Sequence, residues 1–126
     1  MDIRYFTDML FNSREEATYL IQEGYVDYAL QQYHDTMDFI AKDAAQLNST
    51  ELDGLRSIAS SHIKEIKEAI AEVPEHRKAQ VCQSAAGYYI GTWHPEEGPY
   101  ERYSEYYGTR EDAQDRLQHH RWVAGW

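Results

Sequence analysis

Cysteine is almost missing from this chain. Cys82 is the only one, which excludes a disulfide framework and a thiolate zinc site. Proline is scarce too, and the first of the three, Pro74, closes a long helical half. No apolar run approaches the roughly 20 residues needed to span a bilayer, so no membrane partner is expected. The opening Met1-Asp2-Ile3-Arg4 has no signal-peptide core behind it, and the expected location is cytoplasmic. Positive charge is short as well: 12 Lys and Arg stand against 22 Asp and Glu, for a net charge of −10. Phosphates would be repelled, which argues against direct nucleic-acid binding and makes a basic protein or ribonucleoprotein complex the natural partner. The imbalance is uneven, with 14 acids and 6 bases in residues 1–74 against 8 and 6 in residues 75–126.

What the chain does have is helical periodicity. Val26, Leu30, Tyr33, Met37, Ile40, Ala44 and Leu47 recur at alternating spacings of 4 and 3, an apolar stripe on one long helix. Glu23, Asp27, Asp35 and Asp38 mark a second face, and no Lys or Arg occurs between Glu15 and Ala41. Tyr25, Tyr28 and Phe39 fall on a third face at about 100° per residue, a candidate self-association surface for a homodimer. A second long helix carries Leu52, Leu55, Ile58, Ala59, His62, Ile63, Ile66, Ile70 and Val73, with Thr50 and Asp53 as its expected cap. Joined by the short Asn48-Ser49-Thr50 connection, the two helices are expected to zip into an antiparallel hairpin. Ahead of them, a short amphipathic piece over 2–11 is expected to stop at Asn12. Ser13 and Glu16 then read as a capping box that starts a new helix, and Gly24 as a break before the long one.

Beyond Pro74 the pattern changes. Residues 75–86 read as a linker or ordered arm. Gly87–His94 alternates as a strand, and residues 95–99 form a Pro/Gly turn. Tyr100–Tyr107 reads as a second strand, Thr109 caps a short helix to about His119, and residues 121–126 alternate again. The expected fold is α+β: a helical hairpin or three-helix bundle over 1–74, then a three-stranded ββαβ module over 87–126.

Two features stand out as candidate sites. The carboxylates of Glu23, Asp27, Asp35 and Asp38 would lie over roughly 22 Å of helix, a row able to imitate part of a nucleic-acid backbone. The last 40 residues are crowded with aromatics, among which Tyr100, Tyr103 and Tyr107 are candidate partner contacts. Catalytic patterns are thin. The six histidines show no HxxxH or HExxH spacing, no Gly-rich phosphate loop is present, and no metal or cofactor is expected. Acid pairs such as Glu96/Glu97 and Glu111/Asp112 sit where turns and helix starts favour them.

Arg56 and His62, with five residues between them, resemble the Arg-to-His spacing of the HEPN ribonuclease family, and Ser57 supplies the polar residue that follows the arginine there. That resemblance implies a bundle-borne pair that polarises an RNA phosphodiester. The run from Gly87-Tyr-Tyr-Ile-Gly through Gly98-Pro-Tyr-Glu-Arg-Tyr-Ser-Glu-Tyr-Tyr-Gly to Leu117 looks like a hairpin-then-helix segment of small phage and mobile-element proteins. As a whole, small and acidic with a helical half and a little sheet, the chain resembles phage-encoded inhibitors of host defence, of the anti-CRISPR type. The resemblance implies a non-catalytic inhibitor that occludes a basic surface.

Overall fold

The computed structural model describes residues 3–119. Its helices are α1 (Ile3–Gln22), α2 (Val26–Asp43), α3 (Ser49–Glu72) and α4 (Arg110–His119), and its strands are β1 (Gln80–Ser84), β2 (Gly87–His94) and β3 (Gly98–Arg102). The architecture is α+β, with a three-helix N-terminal bundle followed by a three-stranded antiparallel sheet in the order β1-β2-β3.

The expected stop at Asn12-Ser13 does not occur, and α1 runs through it unbroken. Ser13 is buried rather than capping: its hydroxyl lies 2.9 Å from Oε1 of Gln32 and 3.0 Å from Oγ1 of Thr36. The Gln32 amide returns a hydrogen bond of 2.8 Å to the Ser13 carbonyl. A serine hydroxyl serves a cap or a cross-helix bond equally well, and the neighbouring α2 decides which. With the break removed, Phe6, Leu10, Ser13, Ala17 and Leu20 form a stripe of their own at spacings of 4, 3, 4 and 3, and all are buried. The small Ser13 and Ala17 let α2 approach closely. As a result α1 is the middle helix, packed more extensively on α2 and on α3 than those two pack on each other.

The break at Gly24 is real. Gly24 has φ of +89°, the Gly24 N–H bonds the Ile21 carbonyl, and the Tyr25 N–H bonds that of Leu20. These two bonds are the Schellman ending of a helix, which needs a residue at positive φ. Glu23 therefore belongs to the turn and not to α2. The apolar stripe from Val26 to Leu47 is buried or half-buried along its length, although α2 ends at Asp43 and a 3₁₀ turn carries Ala44–Gln46. The cap of α3 is Asn48, not Thr50. Its side chain accepts from the Glu51 N–H at 2.8 Å while the Glu51 carboxylate accepts from the Asn48 N–H at 3.2 Å.

In the C-terminal part, the stretch expected as a linker or arm supplies a strand. β1 pairs with β2 from Gln80↔Gly91 to Ser84↔Gly87 through a tight turn at Ala85-Ala86. β2 has the expected bounds, but β3 covers only Gly98–Arg102. Past Arg102 the Tyr103 N–H still donates to the Ile90 carbonyl at 2.8 Å, but the return bond goes to a side chain, the Ile90 N–H donating to the buried hydroxyl of Ser104 at 2.8 Å. Tyr107 then returns as an isolated bridge to Tyr88. So the three strands run consecutively and α4 follows them, in the order βββα. The strand expected at 121–126 lies outside the described residues. The cap of α4 is as expected, with the Asp112 N–H donating to Oγ1 of Thr109 at 3.1 Å. Ala113 and Leu117 face inward onto Ile90 and Tyr107.

The two parts meet at the Gly24 turn. The Ala79 N–H donates to the Gly24 carbonyl at 2.9 Å, and Tyr25 packs on Tyr103 with ring centroids 6.0 Å apart. Tyr25 touches both hydrophobic cores, so the junction is itself a packed seam. Further along, α4 runs beside α2, with Gln114 reaching Asp27 and Gln118 reaching Gln31 at 2.6 Å.

Candidate partner-binding surface

Helix α2 presents Asp27, Asp35 and Asp38 because Val26, Ala29, Gln32, Tyr33 and Ile40 turn another side of the helix into the core. Those three and Glu23 are all exposed, and none has a Lys, Arg or His within ion-pair distance among the described residues. The strip is shorter than a helix from Glu23 would make it: Asp27 to Asp38 spans about 17 Å at 1.5 Å per residue. One end is partly occupied, since α4 lies against Asp27 and Gln31 and Gln114 donates to the Asp27 carboxylate at 3.4 Å. Asp35 accepts from the Gln31 amide at 2.9 Å. Asp38 stands at the lip of an apolar groove of about 390 Å³ between α2 and α3, lined among others by Met37, Ala41, Ala45, Leu52 and Leu55.

The structure brings part of the tyrosine set and part of the acid set together. Burial raises the phenol pKa of Tyr25, and the negative charges of Glu23 and Glu101 add to it. Tyr28 is raised in the same way by burial, then by Glu16 and Asp35. Tyr103 is raised by burial and by its hydrogen bond, in which the phenol donates to the Glu101 carboxylate at 2.6 Å. Glu23 and Glu101 thus stand near the packed Tyr25–Tyr103 pair, and Glu16 and Asp35 near Tyr28. Such a surface attracts Lys and Arg and repels phosphate.

Individual site residues divide sharply. Tyr100 is 62% exposed, as a contact residue should be. Tyr107 is not a surface residue: it is 6% exposed in the second core, with the Arg116 guanidinium over its ring. Of the expected self-association face, Tyr25 is spent on the internal seam and Tyr28 is half-buried, while Phe39 is 50% exposed. Tyrosine pattern alone could not sort these, because a ring that closes a seam and a ring that meets a partner have the same chemistry.

Arg56 and His62 do not share a solvent-facing site. Arg56 is well exposed and pairs with Asp53 at 3.5 Å, whereas His62 is 3% exposed. The Nδ1 atom of His62 lies 2.7 Å from the Tyr33 hydroxyl, and the Phe11 ring meets the imidazole edge-on at 4.8 Å. Arg14 stacks over Phe11 and pairs with Glu65 at 3.3 Å. Burial pushes the Tyr33 phenol up to about 12. It also lowers the His62 pKa, with Arg14 acting in the same direction and Glu65 against it. This polar pair inside the bundle escaped sequence reasoning, since both residues lie on apolar stripes and only the fold brings them together.

A histidine held neutral by burial has a pH consequence. With its folded pKa below the ordinary 6.5, the unfolded chain binds the proton more readily, so stability is full above that value and declines as pH falls below it. The melting temperature should drop on acidification from about pH 7.5 to about pH 5. In His62→Gln the slope should flatten, even if the variant is less stable throughout. Parallel profiles for the two proteins would show that other groups control the acid limb.

Among the described residues, no group of three or more His, Cys, Asp or Glu side chains is placed to hold a metal ion. No helix of the described chain is long and apolar enough to cross a membrane. Compared with models of protein families, with curated proteins and with solved structures, the chain finds no match in any of the three.

Proposed function

We propose that this is a non-catalytic acidic binding protein that occludes a basic, nucleic-acid-binding surface of a host defence complex, within the host cytoplasm. The observation that carries the reading is the exposed carboxylate strip of α2, continued by Glu23, which no basic side chain neutralises among the described residues. A chain of net charge −10 that leaves these groups unpaired keeps self-repulsion that internal lysines could have relieved. A basic partner would relieve it on binding. Half-buried Tyr103, packed on Tyr25, and the exposed Tyr100 of β3 would supply short-range contact area at low entropic cost. The general likeness to phage-encoded defence inhibitors supports the choice of partner class.

The partner would be captured from the native host by pull-down, and binding then compared with the Asp27→Lys, Asp35→Lys, Asp38→Lys triple variant. The substituted positions are exposed, so helix content should be retained while binding and inhibition are lost. For the parent protein, association should slow as salt rises from about 0.05 to about 0.5 M, because the Debye length shrinks several-fold over that range. Undiminished inhibition by a folded triple variant would remove the acidic strip from the mechanism.

A further inference from the structure

Small side chains leave a gap between α2 and α3. Ala41 of α2, Ala44 and Ala45 of the 3₁₀ turn after it, and Ala59 of α3 all line the groove of about 390 Å³ between the two helices. Its floor is the buried core, with Leu10 of the middle helix beside Ile40 and Leu55. Its rim is open, since Met37 and Leu52 are half-buried while Ala41 and Ala45 are exposed. Apolar area is thus left to water in a concave shape, within the ~300–1,000 Å³ of ordinary binding pockets. A methionine at the rim can adapt to whatever enters, because its side chain is unbranched and flexible.

We infer that this groove is the anchoring half of the acidic partner surface, and that its occupant is an amphipathic helix of the partner, apolar on one face and carrying Lys and Arg beside it. The inference rests on the reading of the α2 strip given above and names what that strip grips. Exposed carboxylates steer and orient an encounter but hold a partner weakly, because water and salt screen each pair. Tight binding needs an apolar anchor that leaves water. Asp38 belongs to both features: it ends the strip and stands on the α2 rim of the groove. The other charged lining residue is Arg56, and its guanidinium is already paired with Asp53 at 3.5 Å. Over the segment that frames the groove, residues 35–56, five acids stand against two bases, so the surroundings select a basic occupant. A groove between two helices receives a third helix, through anchors spaced i, i+3 or i+4. Laid along α2, such a helix carries bases on successive turns past Asp38 and Asp35, which lie about 4.5 Å apart along the axis against a pitch of about 5.4 Å. Asp27 lies about 12 Å further on, within reach of a base two turns away.

The probe is a synthetic peptide of about 18 residues, lysine and leucine arranged so that the leucines share one helical face. It is titrated into the isotopically labelled full chain, with calorimetry for affinity and methyl NMR for position. Saturable binding is expected, with shifts at the Met37, Leu52 and Leu55 methyls and none at Ile90 in the second core. Ala41→Phe fills the groove and Leu52→Gln makes its rim polar. Each should weaken binding by about tenfold or more while leaving the salt dependence as steep as in the parent. The Asp27→Lys, Asp35→Lys, Asp38→Lys triple variant should flatten that dependence. A peptide of the same composition, ordered so that no helical face is apolar, should bind at least about tenfold more weakly. Equal binding of the two peptides would mean that charge alone acts, and would overturn the inference. Parent-like binding by the folded groove variants would overturn it too; loss of binding by the triple variant alone would then leave the acidic strip standing without the groove. Unchanged binding by the triple variant, beside loss in the groove variants, would overturn the strip reading and the basic occupant with it. Absence of shifts at Met37 and Leu52 overturns the inference outright. The two groove variants lie on different helices, so one that loses helix content by circular dichroism is set aside and the other decides.

Discussion

Alanine at Gly24 is expected to destabilise the protein by about 3 kcal/mol or more, the combined effect of a left-handed backbone and a backbone clash. Gly24 sits at φ +89°, and an added Cβ would overlap the carbonyl oxygen of Arg77. That carbonyl cannot move away cheaply, because Ala79 next to it is tied back to Gly24 by its N–H. The substitution therefore strikes the Schellman ending of α1, the entry into α2 and the seam between bundle and sheet together. For a domain of this size the melting temperature should fall by roughly 10 °C or more. Gly54→Ala provides the contrast, since it lies within α3 with nothing within 4 Å of the new methyl group. That change should be neutral or stabilising by up to about 1 kcal/mol. Thermal unfolding of both variants decides the matter, and a Gly24→Ala melt within a degree or two of the parent would show that the seam tolerates rearrangement.

Phe6→Ala is expected to cost about 3–5 kcal/mol, the range for removing a fully buried aromatic ring. Phe6 has no exposed surface and lies in the main core with Leu10 and Ala17. The prediction separates two versions of the N-terminus. Were residues before Asn12 a short detached piece, the loss would be small and confined to local fraying. On a continuous α1 the cavity opens in the middle helix of the bundle, so the whole cooperative transition should shift. Phe39→Ala, at a half-exposed position, should stay within about 0.5 kcal/mol of the parent. A denaturant titration of the three proteins measures both effects. A Phe6→Ala loss under about 1 kcal/mol would indicate that the first turns of α1 fold independently.

Residue pattern alone determined the α+β class, the stripe from Val26 to Leu47, the break at Gly24, strand β2 and the Thr109 cap of α4. Each rests on short-range physics: helical or strand periodicity, a glycine's freedom at positive φ, or a hydroxyl within reach of the next turn. The exposure of Asp27, Asp35 and Asp38 followed from the same periodicity, because a stripe committed to the core leaves its opposite face outside. Tertiary structure decided the rest, wherever one side chain had two competing partners. Ser13 could cap a helix or bond Gln32, and the approach of α2 chose the second. Residues 80–84 carry no decisive alternation of their own and became a strand by pairing with β2. Tyr107 entered a core and Tyr100 did not, although the two sit in one tyrosine-rich run. His62 found Tyr33 across the bundle, which no local rule foresees. Local sequence sets which backbone shapes are cheap; which polar and aromatic groups are enclosed depends on what the rest of the chain brings to them.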